Sequence, residues 1–192
     1  MRTPLEDKSI TLNRISGSLT YPCDFMLISS MNPCPCGYYG SKEKECICSA
    51  DQIAKYRNRF SGPLLDRIDI QIEVPQVSYQ DLSSQRPVES SKEIKTRVNQ
   101  ARKIQLNRYQ KDGIHSNSQL NPQLIQKYCQ LDEESQKLLQ DAFQRLHLSA
   151  RAHDRILKLA RTIADLAESK TIKIEHLAEA IQYRSLDRKY WS

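Results

Sequence analysis

Helix and strand breakers are distributed unevenly, and that limits what this chain can fold into. Seven of its eight prolines lie at or before Pro87, and four of its five glycines lie at or before Gly62. Beyond residue 88 only Gly113 and Pro122 remain. Turn chemistry is therefore crowded into the first part, while the second can carry long helices with little interruption. The expected organisation is an α/β portion over residues 1–82, a polar linker "SSQRPVESS" near 83–91, and an all-α portion over 92–192. The chain has no internal repeat and no long low-complexity tract.

In the first portion, "SITLNRISGSLTYP" alternates apolar and polar residues on either side of Ser16-Gly17-Ser18, the pattern of a β-hairpin. "DFMLISS" (24–30) is a short apolar run that predicts a buried strand. "SADQIAKYRNRF" predicts a helix capped by Ser49. "RIDIQIEVP" alternates Ile68, Ile70, Ile72 and Val74 with polar residues and predicts a second core strand. In the second portion, Ile94, Val98, Ala101, Ile104 and Leu106 lie near a helical period, with Ser91 available as a cap. Asn121-Pro122 is the preferred N-cap and N1 pair. Asp132 precedes a Glu-rich first turn, and Ser149 caps a helix whose face carries Ile156, Leu159, Ala160, Ile163, Leu166 and Ala167. Leu177, Ala180 and Ile181 place one more helix against a core.

No apolar run approaches the ~20 residues of a membrane helix, and "MRTPLEDKSI" has no apolar stretch of signal-peptide type. A cytoplasmic setting with no membrane partner is the expectation. The net charge of +6 permits nucleic-acid binding but is too mild to establish it. Four of the six cysteines fall within fifteen residues, as Cys34-Pro35-Cys36 and Cys46-Ile47-Cys48. In a reducing compartment such clustering favours a metal, Zn²⁺ above all, over a disulfide. The one-residue spacers are tighter than those usual in zinc ribbons, so four reduced thiols stay open as the alternative. Cys23 and Cys129 stand apart and read as small hydrophobes.

The blocks "SSMNPCPCG", "CSADQIAKYRNRFSGPLLDRIDIQIEVP" and "LSARAHDRILKLARTIADLA" closely resemble the ComM/YifB family of magnesium-chelatase-like AAA+ ATPases. Magnesium chelatase subunit I and the MCM helicases are similar at a greater distance. The resemblance runs from about residue 1 to about 188 and covers the C-terminal half of such a protein. It implies a partial AAA+ core followed by a helical lid. It also implies a sensor-1 amide at Asn32, an arginine finger at Arg67 that reaches a neighbouring subunit's nucleotide, and a sensor-2 arginine at Arg151. The hairpin corresponds to one that lines the pore of ring helicases, where Arg14 and Lys8 would track a DNA backbone. ATP and Mg²⁺ are the implied cofactors, a hexameric ring the implied assembly, and branch migration in recombination or natural transformation the implied work.

The phosphate-loop pattern G-x-x-x-x-G-K-[ST] and an apolar strand ending in paired acids are both missing from these 192 residues. The expectation is that this chain alone does not hydrolyse ATP. Two other functions stay open: metal insertion into a porphyrin, as in magnesium chelatase itself, and a non-enzymatic zinc module that binds DNA or protein.

Overall fold

The computed structural model describes residues 2–41, 44–59, 62–75, 77, 83, 89–146 and 148–184. The chain divides into two compact units, with the break between Ile68 and Asp69. The linker expected at 83–91 is described only at Ser83 and at 89–91.

The first unit opens with α1 (Arg2–Asp7), then β1 (Ser9–Arg14) and β2 (Gly17–Pro22). The two strands pair antiparallel from Ser9↔Pro22 to Arg14↔Gly17. The turn is therefore Ile15-Ser16, one step earlier than the Ser-Gly-Ser sequence predicts. Gly17 opens β2 at φ +135, a conformation that side chains resist. A Thr11–Thr20 hydroxyl pair at 2.9 Å bridges the strands. Further on come α2 (Ala50–Arg57) and the single turn α3 (Gly62–Leu65). Ser49 caps α2 reciprocally with Gln52, as its sequence predicts, but the helix stops at Arg57, short of the expected Phe60.

Two expectations fail in the α/β portion. Residues 24–30 form no strand, and Met26 and Ile28 are each 82% exposed. Residues 67–75 form no strand either, and Ile70, Ile72 and Val74 are exposed. Among the described residues the only sheet is the two-stranded hairpin. A strand needs a neighbour to take its backbone N–H and C=O groups, and an apolar alternation cannot supply one. What anchors the later segment is the second unit's helices: Asp69 accepts from Arg155 at 2.6 Å, and the Gln71 N–H donates to the Tyr183 carbonyl at 3.0 Å.

The second unit is helical: α4 (Ser91–Arg108), a 3₁₀ turn (Asn117–Gln119), α5 (Pro122–Tyr128), α6 (Glu133–Leu146), α7 (Ala150–Leu166) and α8 (Ile174–Gln182). The cap of α4 is Ser90, not Ser91. Glu93 lies three residues on and returns a bond to the Ser90 N–H at 2.7 Å, whereas Ser91 would have only Ile94 at that place. Asn121 caps α5, Ser149 caps α7, and the Asp132 carboxylate accepts the Ser135 N–H at the start of α6. The core joins Tyr109, Ile125, Leu139, Ile156, Leu157 and Leu177 around α7. Small residues Ala152, Ala160 and Ala164 let neighbouring helices approach α7, while Leu159 and Ile163 pack at the margin of that core and Ala167 is exposed. Only the last part of α4 reaches this core. Its buried residues are Ala101 and Gln105, and Ile94, Val98 and Leu106 face solvent, contrary to the predicted face.

Candidate functional site

Residues 34–37 make a β-turn closed by the Gly37 N–H to the Cys34 carbonyl at 3.1 Å. Pro35 sits at the second position, where its fixed φ suits the turn, and Gly37 ends it at φ +83. This turn brings Cys34 and Cys36 Sγ to 3.3 Å. Cys46 Sγ lies 3.7 Å from Cys34 and 3.5 Å from Cys36, and all four sulfurs, Cys48 included, lie within 4.8 Å of one another. Cys34 is wholly buried and the other three are half-buried. Four thiols this close could hold one metal ion.

Backbone N–H groups surround the sulfurs. Those of Tyr38 and Ile47 point at Cys36, that of Cys48 at Cys46, and that of Cys36 at Cys48. Led by the Tyr38 N–H, these bonds draw the Cys36 thiol down to about 6 against the opposing effect of burial. At Cys46 the Cys48 N–H also favours the thiolate, but burial and the adjacent sulfurs outweigh it and push the thiol up to about 12. Burial raises Cys48 as well. The thiolate is thus favoured at Cys36 and disfavoured at Cys46 and Cys48, as expected when several thiols share a small volume.

The remaining predicted residues are distributed over both units. Asn32 is exposed, and a methyl group placed on Gly37 would lie 3.8 Å from its Cγ and Nδ2. The Asn32 amide therefore lies against the cysteine turn. Arg67 follows α3 and donates to Glu6 Oε2 at 2.5 Å, with its side chain 12% exposed. Lys8, in a left-handed conformation at φ 50, pairs with Asp24 at 3.0 Å. Arg14 is exposed at the tip of the hairpin. Arg151 belongs to the second unit, exposed in the first turn of α7. Cys129 is a core residue, as its isolation predicts, and Cys23 is half-buried.

A second constellation escaped prediction. Asp165 is fully buried and accepts from both guanidinium nitrogens of Arg108, from Arg161 Nε at 3.1 Å and from Asn117 Nδ2 at 2.9 Å. Asn117 also donates to Thr162 Oγ1 and accepts from Tyr109. Arg161 donates onward to the carbonyls of Ser169 and Lys170, past the end of α7. Burial lowers Arg161, though an arginine stays charged at any ordinary pH. A sequence signal existed, because Arg161 and Asp165 continue the Leu157 row of α7 into its buried face. With every group satisfied inside one helical unit, this network joins the helices together.

Residues 1–82 match the family described as magnesium chelatase, subunit ChlI, and residues 88–184 match magnesium chelatase, subunit ChlI C-terminal. Protein YifB of Salmonella typhimurium is 41% identical over 189 residues, and YifB of Escherichia coli is 40% identical over the same length. Competence protein ComM of Haemophilus influenzae is 39% identical over 191 residues. Each match takes in 98% of this chain and 36% of the relative, so the chain spans about a third of the length of these proteins. With both portions matched in order, the chain belongs to the magnesium chelatase subunit ChlI family, with YifB and ComM among its relatives.

Proposed function

We propose that this chain forms part of an ATP-driven AAA+ ring motor working on DNA, and that it supplies the residues that sense and polarise the nucleotide. The observation that carries the reading is the end-to-end likeness to a competence protein, 39% identical over 98% of the chain. In this role Asn32 offers an amide to the γ-phosphate or the attacking water. Arg151 offers a guanidinium from the first turn of a helix, where the dipole also favours an anion. Arg67 acts on the nucleotide of the adjoining subunit. Its bond to the Glu6 carboxylate already shows the guanidinium holding an anionic oxygen. Exchange of that carboxylate for a phosphoryl oxygen is the chemistry a finger requires.

The donors present fit phosphate oxygens, whereas the Mg²⁺ ligands and phosphate cradle are assigned to other parts of the working protein. Mg²⁺ would neutralise charge between the β- and γ-phosphates when bound. The exposed hairpin, with Arg14 at its tip and Lys8 at its base, offers cations to a DNA backbone in the pore of a hexameric ring. The cysteine cluster is assigned to Zn²⁺. Zinc–sulfur bonds of about 2.3 Å put tetrahedral sulfurs about 3.8 Å apart, close to the separations of 3.3, 3.5 and 3.7 Å found here. Four thiolates leave no open coordination position, so this metal has a structural role.

Steady-state ATP hydrolysis by the whole protein, with and without DNA, tests the proposal. DNA should stimulate turnover, and Arg67→Ala should reduce it by about 10³-fold or more while nucleotide binding persists, since a finger acts mainly in the transition state. An Arg67→Ala protein that turns over at the parental rate removes the finger. Stimulation by a porphyrin instead of DNA selects metal insertion, the function that the family description favours.

A further inference from the structure

We infer that the cysteine clip is the mount that holds Asn32, so that metal on the four sulfurs sets the position and order of that amide. The functional weight of this inference rests on the sensor and zinc assignments above. The coupling itself rests on the residues from Asn32 to Gly37.

Asn32 is followed by Pro33, which disfavours helical backbone at Asn32, and it lies outside any helix. The rings of Pro33 and Pro35 fix two of the φ angles on the path from Asn32 to Cys36. Cys34 stands between those rings with no exposed surface. The chain then folds back through the turn closed by the Gly37 N–H, and Gly37 arrives against the Asn32 amide. Asn32 is therefore tied to the clip by a stiff backbone of two residues, and its side chain occupies the space beside Gly37 that a Cβ would enter. Two of the four sulfurs, on Cys34 and Cys36, belong to this same short piece.

The other two sulfurs come from across the loop. Without an ion, the halves meet through S–H contacts and backbone N–H···S bonds, each a weak interaction. One ion bound to all four sulfurs closes the loop and removes the freedom of the halves to part. A stiff link transmits that order instead of absorbing it, and Asn32 is the residue at its end. Pro33 and Gly37 are then positioning residues, acting on the nucleotide only through Asn32.

The side-chain amide signals of Asn32 in the ¹⁵N spectrum of the 192-residue chain report this directly. Asn32→Asp, which lacks the amide, identifies those signals. The reduced, metal-stripped chain is titrated with ZnCl₂. The expected result is that the Asn32 signals shift and narrow in step with zinc up to one equivalent, while those of Asn117, buried in the second unit, stay in place. Pro33→Ala keeps all four thiols, so by elemental analysis it should still hold one zinc per chain, yet the zinc-dependent narrowing of Asn32 should be lost. One zinc bound with unmoved Asn32 signals overturns the coupling and leaves the metal assignment standing. No zinc bound overturns both. A Pro33→Ala chain that binds zinc and keeps the full Asn32 response overturns the stiff link.

Discussion

Asp165 shows how much a single buried carboxylate can decide. It has no exposed surface and lies between two guanidinium groups, of which Arg161 is 3% exposed. Desolvating three charges is expensive, and it is offset here because each polar atom has a directed partner. Asp165→Asn keeps the shape and removes the only negative charge of that group, leaving two guanidiniums to face each other. The expected loss is about 3–5 kcal/mol, the cost of stranding a buried charge, read from the urea midpoint of the chain. A shift of only a few tenths would mean that water reaches the site. The cysteine cluster was legible because its four thiols sit within fifteen residues. Asp165 was not, since its partners Asn117 and Arg108 are 48 and 57 positions away. The roles proposed for Asn32, Arg67 and Arg151 rest on resemblance, because one amide and two arginines have no pattern of their own.

Between elements, the joint from α4 to α5 is held by Asp112. Its carboxylate accepts from the Tyr128 hydroxyl and from Lys127 Nζ at 3.1 Å, and these bonds lower its pKa in that order of weight. A carboxyl depressed in the folded state adds stability above its unfolded pKa near 4, and that stability is lost as pH falls through the lower folded value. Glu93 at the Ser90 cap and Asp132 at the start of α6 are depressed too, by the Ser90 backbone first and by Ser135, whose N–H bonds Asp132. All three act in one direction. The melting temperature should fall from neutral pH toward pH 3, and Asp112→Asn should melt below the parent at pH 7 but approach it at pH 3. A constant gap between the two curves would show that Asp112 acts by packing alone. Caps are local, so Ser49, Asn121 and Ser149 are readable in the sequence, and Ser90 is set apart from Ser91 by Glu93 three residues on. Strands depend on a partner elsewhere, so the apolar alternation of 68–74 is a strand pattern that forms no strand.

For the molecule as a whole, the contrast between local and non-local hydrogen bonding sets where stability resides. Helices α4 to α8 satisfy their backbone internally, and the core from Tyr109 to Leu177 ties α7 to its neighbours. Segments 24–30 and 70–74 keep strand-like sequences without a strand partner among the described residues, and much of their apolar surface meets water. Amide exchange tracks local opening, and such segments open at almost no cost. In the isolated chain, amides of α7 and of the buried part of α8 should exchange only through opening of the whole helical unit. Those of residues 24–30 and 70–74 should exchange orders of magnitude faster. Gln71, whose N–H bonds Tyr183, should be the slowest of the later segment. Assembly supplies a further contrast. If these apolar segments are covered in a ring, exchange at Met26 and Ile28 should slow on oligomerisation while α7 stays unchanged. Equal, strong protection of 24–30 and α7 in the monomer would show that these residues pair after all, and would return them to a sheet.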